Sequence, residues 1–147
     1  MKLENPKELA NAVNIISDIV SEVKIKLTDE GVSIVAVDPA NVAMVIFKLP
    51  KESFSQYEIG SDVWGVNLAD LKQILRRAST SSSVCFEQEE NMLKITIFDK
   101  VKRVFQLALV DVEGEEKDEP TWEFATEVEM DSSNFTQAVE DCAIVGD

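Results

Sequence analysis

Gly65-Val66-Asn67-Leu68-Ala69-Asp70-Leu71-Lys72-Gln73-Ile74-Leu75-Arg76-Arg77-Ala78-Ser79 reads as a capped amphipathic helix that gathers positive charge, and it frames the rest of the chain. Asn67 is a good N-cap, because its side-chain carbonyl can accept from the free N–H groups of the first turn. Leu68, Leu71, Ile74, Leu75 and Ala78 recur at helical spacing, so one face is apolar and packs inward. Lys72, Arg76 and Arg77 fall away from that face, with Gln73 on the same polar side. Taken alone, the segment reads as a solvated basic helix at least as readily as a binding surface.

Its setting makes it informative. The chain has 147 residues, of which 28 are acidic and 14 basic, for a formal charge of −14. Such a balance argues against gripping nucleic acid over the whole surface and leaves room for one local basic face. With 45% hydrophobic residues the chain can bury a core, and its length suits one domain or one domain plus part of another.

Several classes of chemistry are disfavoured. Histidine is absent, which removes the usual general base, the usual zinc ligand and any Ser-His or Cys-His nucleophile pair. No GxxxxGK[ST] or GxGxxG suggests a phosphate cradle, so no cofactor is expected. Cys85 and Cys142 are far apart without a CxxC spacing and read as free thiols rather than a disulfide or metal site. Asp111 fails as the start of a calcium loop, since Gly114 is fourth and Trp122 twelfth where glycine is needed sixth and glutamate twelfth. Asp111 and Glu113 could pair as acid and base, but an exposed linker gives no reason for a shifted pKa, so an enzyme ranks low. No apolar run is long enough to cross a bilayer and Met1-Lys2-Leu3-Glu4-Asn5-Pro6 lacks a signal-peptide core, so a cytoplasmic protein with no membrane partner is expected.

Working outward, a first helix is predicted from Asn5 as cap and Pro6 as first helical residue, with Glu8 in capping-box position. Leu9, Ala12, Val13, Ile16, Ile19, Val20 and Val23 form its apolar stripe, opposite Lys7, Asn11, Asn14 and Asp18. Strand-like runs follow at Val23–Leu27, Val32–Val37, Val42–Leu49 and roughly Tyr57–Val66, punctuated by Asp29-Glu30-Gly31, Asp38-Pro39 and Gly60. After the basic helix come Val84–Glu87, Leu93–Phe98 and Val101–Val110. From Asp111 to Glu119 the chain turns acidic and ends on Pro120, as a linker does. Trp122, Phe124, Thr126, Val128 and Met130 then alternate with polar residues as a strand would, before a helix capped by Asp131.

The three helix caps, Asn5, Asn67 and Asp131, lie 62 and 64 residues apart, each followed four positions later by Leu9, Leu71 or Phe135. A helix followed by several strands therefore recurs at near-constant length, which predicts an α+β fold of repeated units.

Three stretches resemble the archaeal and eukaryotic sliding clamps, the proliferating cell nuclear antigen family. They are Asp29-Glu-Gly-Val-Ser-Ile-Val-Ala-Val-Asp-Pro-Ala-Asn-Val-Ala-Met-Val45, Gly65-Val-Asn-Leu-Ala-Asp-Leu-Lys-Gln-Ile-Leu75 and Leu107-Ala-Leu-Val-Asp-Val-Glu113. The resemblance implies the DNA clamp fold of repeated βαβββ units, with helices lining a hole and strands outside. It divides the chain into an N-terminal clamp domain, 1–110, an acidic interdomain connector, 111–121, and the start of a second domain, 122–147. It implies subunits joined head to tail in a trimeric ring that encircles duplex DNA without doing chemistry. Partners would be other clamp subunits, DNA polymerase, the clamp loader, ligase and flap nuclease.

By that resemblance Lys72, Gln73, Arg76 and Arg77, with Lys7, would meet the phosphate backbone sequence-independently. Val37, Asn41, Val42 and Met44, with Val110 and Val112 of the connector, would receive client proteins, although without the resemblance Val37, Val42 and Met44 read better as ordinary strand core. Arg103, Phe105, Leu107 and Leu109 would form the subunit edge.

The sequence departs from the family pattern in three places. Ala10, Asn11, Ser17, Gln137 and Glu140 stand where clamps often place cations, so the Lys72 helix would carry most of the DNA attraction. Glu115, Lys117 and Glu119 stand where connectors carry apolar anchors, which predicts a mobile connector and altered docking. Family members would continue for about another hundred residues past Asp147, which would leave the edge near Lys102–Leu109 unpartnered within homomers. The alternative is a shortened clamp-like module that binds clamp subunits or clients without encircling DNA.

Overall fold

The computed structural model describes residues 1–59, 62–113 and 119–145. Its elements in chain order are β1 (Lys2–Leu3), α1 (Lys7–Ile16), β2 (Glu22–Thr28), β3 (Gly31–Val37), β4 (Met44–Pro50), a short 3-10 turn (Lys51–Ser53) and β5 (Phe54–Gln56). They continue with β6 (Asp62–Asn67), α2 (Leu68–Leu75), β7 (Ser83–Glu89), β8 (Met92–Phe98), β9 (Arg103–Ala108) and α3 (Ser132–Val145).

Two antiparallel sheets form, one ordered β4-β3-β2-β6 and the other β5-β1-β7-β8-β9. The order β-α-β-β-β occurs twice, as β1-α1-β2-β3-β4 and β6-α2-β7-β8-β9, and each unit lends its first strand to the other's sheet. Thus β1 pairs with β7, while β6 pairs with β2 along Glu22↔Asn67 to Leu27↔Asp62. The repeat legible in the cap spacing is therefore an interlocked pair of α+β units, and neither sheet is complete without the other half.

One core joins them. Leu9, Val13 and Ile16 of α1 and Leu68, Leu71 and Leu75 of α2 are buried with Ile25, Leu27, Ile34, Val66, Val84, Ile95 and Ile97 from the strands. Strand parity explains which residues go in, since β2 buries Val23, Ile25 and Leu27 and leaves Lys24 and Lys26 on the other face. The β2–β3 turn depends on Gly31, whose φ of +141° disfavours other residues and whose Cβ would stand 2.3 Å from the Leu49 carbonyl oxygen.

Local departures from the sequence expectations have physical causes. Helix α1 stops at Ile16, short of Ile19, Val20 and Val23. The Ser17 hydroxyl turns back to donate to the Asn14 carbonyl at 2.7 Å, and the chain must unwind to pair Glu22 with Asn67. The N-cap is Pro6 rather than Asn5, since the Pro6 carbonyl accepts the first helical bond from the Ala10 N–H at 2.8 Å, and the helix starts at Lys7, whose N–H donates to Asn5 Oδ1 at 3.1 Å. The run from Tyr57 to Val66 is not one strand. Tyr57 leaves the sheet so that its hydroxyl can donate to the carbonyls of Thr28 and Gly31, each at 2.8 Å, and pairing starts at Asp62.

Residues 122–130 form no strand despite their alternation, and Trp122, Phe124, Val128 and Met130 are exposed. A strand needs a neighbour for its backbone groups, and none of the described residues supplies one. Helix α3 does form where Asp131 predicts it, with Asp131 Oδ1 accepting from the Ser133 N–H at 2.8 Å. No helix among the described residues is long and apolar enough to cross a membrane.

Candidate nucleic-acid interface and docking surfaces

Strand β6 runs straight into α2 through Asn67, whose backbone is extended while its Oδ1 accepts from the N–H groups of Ala69 at 3.0 Å and Asp70 at 3.3 Å. The Leu68 N–H donates to the Ser21 carbonyl at 2.8 Å, pinning the entrance of α2 beside the chain just after α1. One turn on, Lys72 meets Ser17, so α2 runs back along α1 as its packed neighbour.

This geometry turns the polar side of α2 outward. Gln73, Arg76 and Arg77 are exposed, and Arg76 and Arg77 sit at the C-terminal end of the helix, where its dipole favours cations. Lys72 differs. Its Nζ donates to Ser17 Oγ at 2.9 Å and lies 3.8 Å from Asp18 Oδ1, with only 21% of the side chain exposed. Lys7 is exposed at the opposite end of α1, nine residues or about 14 Å of helix from Ile16. Gln73 and Arg77 also line a groove between α2 and β9 with Ile74, Phe105 and Leu107, so the predicted phosphate contacts do not all point the same way.

The predicted client residues separate into two hollows. Val37 and Asn41 line the first, with Val20, Asp38 and Pro39 against Val112 and Glu113. Met44 lines the second with Ile46, Glu119, Pro120, Trp122 and Phe124. Val42 lines neither and is 86% exposed, on a loop that Asp38 organises. Asp38 Oδ1 accepts from the N–H groups of Val42 at 2.7 Å and Ala43 at 2.6 Å, and Oδ2 from Ala40 at 3.1 Å. Those backbone donors, Ala43 foremost, hold the Asp38 carboxyl below its ordinary pKa. Asn41 takes the left-handed conformation at φ 55°, which asparagine tolerates.

Val110 lines neither hollow. Its N–H donates to the Gly65 carbonyl at 2.9 Å, fastening the start of the connector along the outer edge of β6. Glu115 and Lys117 lie outside the described residues, whereas Glu119 pairs with Lys48 of β4. The apolar contribution of the connector comes from Val112 at the first hollow and from Trp122 and Phe124 at the second. The alternation of the two aromatics was the available signal, and it reads as a strand until β4 is seen beneath it.

The four predicted edge residues have separate environments. Leu107 is buried and Phe105 and Leu109 pack against the core, because Phe105 and Leu107 pair with Ile95 and Leu93. Val104, Gln106 and Ala108 are the exposed side chains of β9. Arg103 lies 3.6 Å from Asp99, and its Nε is buried without a partner among the described residues. Asp99 also accepts from the hydroxyls of Ser79 at 3.2 Å and Ser82 at 3.0 Å, which ties the β8–β9 turn to the end of α2.

Two α+β units with swapped first strands and both helices packed side by side define the clamp fold. The same fold is seen in the crystal structure of the PCNA2–PCNA3 complex from Sulfolobus tokodaii, with a TM-score of 0.86 at 20% identity over 99% of this chain and 60% of that one. The PCNA of Thermococcus kodakaraensis gives a TM-score of 0.77 at 21% identity over 83% of this chain and 50% of that one. Residues 1–117 match the family model of the proliferating cell nuclear antigen, N-terminal domain, and the chain belongs to that family. A curated relative, the DNA polymerase sliding clamp of Pyrococcus abyssi, is 35% identical over 146 residues, 98% of this chain and 59% of the relative. The DNA polymerase sliding clamp of Nanoarchaeum equitans is 34% identical over 145 residues, 96% of this chain and 58% of the relative. The chain thus spans about three fifths of the length of these relatives.

Proposed function

We propose that the chain is the N-terminal part of a DNA polymerase sliding-clamp subunit, which joins other subunits in a ring around duplex DNA and holds polymerases and DNA-processing enzymes on it. In this reading it is a scaffold and performs no bond chemistry. The observation that carries it is the helix layer: α1 and α2 pack together, and Arg76 and Arg77 stand exposed side by side at the end of α2 in a chain of formal charge −14. Repulsion from the acidic surface and attraction at Lys7, Arg76 and Arg77 would favour phosphate contact at the helix layer.

The free edges support ring assembly. Of the four edge strands, β6 is lined by Val110, β4 carries the Lys48–Glu119 pair and β5 has three residues. Strand β9 has six residues and only β8 beside it among the described residues, with Phe105 and Leu107 lining the groove toward α2. An open edge of this length suits pairing with a strand of the next subunit.

We place the first clamp domain at 1–110 and the connector from 111, extended from 121 to Phe124 because Trp122 and Phe124 line the hollow over β4. Residues beyond it begin the second domain. Light scattering of the native full-length product, alone and with partner clamp subunits, tests the proposal. A ring-sized assembly is expected, and a monomer under both conditions at micromolar concentration would refute it.

A further inference from the structure

We propose that Lys72 is a positioning residue that sets the spacing of the two helices, and that Arg76 makes the phosphate contact that the α2 cluster offers; this rests on the DNA-facing reading of the helix layer. The ammonium group donates to Ser17 Oγ at 2.9 Å, and the same hydroxyl donates onward to the Asn14 carbonyl at 2.7 Å. The hydroxyl therefore accepts from α2 and donates its one proton to the last turn of α1, relaying the bond in a single direction. The arrangement sets a positive charge against the C-terminal carbonyls of α1, where the helix dipole is negative, with Asp18 at 3.8 Å as a second anion.

A lysine with this much to hold, and 21% of its side chain exposed, is poorly placed to release its partners for a passing phosphate. Arg76 follows it by one turn, is exposed, and sits on backbone whose own N–H is fixed to the Lys72 carbonyl at 3.0 Å. Any shift of Lys72 relative to α1 is thus passed directly to Arg76. Arg77 contributes less to the DNA face, because it lines the groove beside β9.

The number of phosphates neutralised sets the slope of log affinity against log salt, about 0.9 per contact on duplex DNA, so counting and positioning can be told apart. We would titrate a short duplex over a salt series with the parent chain, Lys72→Gln, Lys72→Arg, Ser17→Ala and Arg76→Gln, and follow amide exchange at Ser17 and Val20, which donate to Val13 and Ile16. Lys72→Gln and Ser17→Ala should weaken binding roughly two- to fivefold at fixed salt with the slope unchanged and exchange accelerated. Lys72→Arg should restore both, and Arg76→Gln should lower the slope by about 0.9. A Lys72→Gln slope lower by the same amount, with Ser17→Ala like the parent, would overturn the proposal, as would faster exchange with unchanged affinity. Absence of any duplex binding by the parent refutes the DNA reading itself, and the exchange data then decide the interhelix strut alone.

Discussion

Replacing Gly65 with alanine probes the joint between the first domain and the connector. Gly65 is buried in β6, and a Cβ there would lie 1.9 Å from the Val110 carbonyl oxygen and 3.0 Å from both the Val110 carbonyl carbon and Val112 Cγ2. The nearest obstacle is backbone, so no side-chain rotation relieves it. Either the strand strains or Val110 withdraws and gives up its 2.9 Å hydrogen bond to the Gly65 carbonyl. Overpacking of this kind costs about 1–3 kcal/mol and the lost bond about 1 kcal/mol. The stiffer unfolded chain returns about 0.4–1 kcal/mol, leaving a net loss of about 1–3.5 kcal/mol. At about 3 °C per kcal/mol for a chain of this size, Tm should fall by about 3–10 °C. Calorimetry with amide exchange at Val110 reads both consequences. Adding Val112→Ala should not rescue the variant, because the backbone oxygen remains. A Gly65→Ala chain with the parental Tm and a protected Val110 amide would refute the reasoning.

Asn67→Ala removes the acceptor for the Ala69 and Asp70 amides and should cost about 1 kcal/mol by urea denaturation, with Asn67→Asp close to the parent. The carboxyls of Asp38, held down first by the Ala43 amide, and Asp99, held down first by the Lys100 amide, titrate below their ordinary value of 3.8. A depressed folded-state pKa means that their stabilisation is present above pH 3.8 and is lost as pH falls through the lower folded values. Asp38→Asn and Asp99→Asn should therefore each flatten the acid limb of the Tm profile below that pH while lowering Tm at neutrality. Trp122→Ala with Phe124→Ala strips the connector side of the hollow over Met44 and Ile46. Both aromatics are exposed, at 68% and 79%, so Tm should stay within about 2 °C while calorimetric binding of a client peptide weakens at least about tenfold.

Features set by local pattern were legible in the sequence. The Asn67 cap and the alternating strands β2, β3, β7 and β8 follow from propensity and periodicity, and each lies within a residue or two of its expected place, whereas the α2 stripe is right in phase but the helix ends at Leu75, short of Ala78. Elements set by distant partners were not. Strand β1 is two residues long, too short for any period, and exists because β5 and β7 bracket it. Residues 122–130 carry the period of a strand and have no ladder, whereas Tyr57 has strand propensity and uses its hydroxyl elsewhere.

The candidate site divides along the same line. That Arg76 and Arg77 face outward is a matter of helical phase. Lys72 lies at the margin of the polar face, and its attachment to Ser17 depends on where α1 ends. On β9 the alternation of Phe105 and Leu107 marks them as inward-facing, so the side chains displayed outside are Val104, Gln106 and Ala108. The swap of β1 and β6 between sheets leaves no trace in local sequence, since it is fixed by how the two units share one core.

The central claim is that the helix layer faces a duplex that the assembled subunits enclose. It is tested most directly by loading the native full-length clamp onto nicked circular duplex DNA, washing at a salt concentration that abolishes phosphate contacts, and then linearising the DNA. Enclosure predicts retention on the circle and release from the linear ends. Loss of the protein in the salt wash before linearisation, or equal retention on linear DNA, would contradict it.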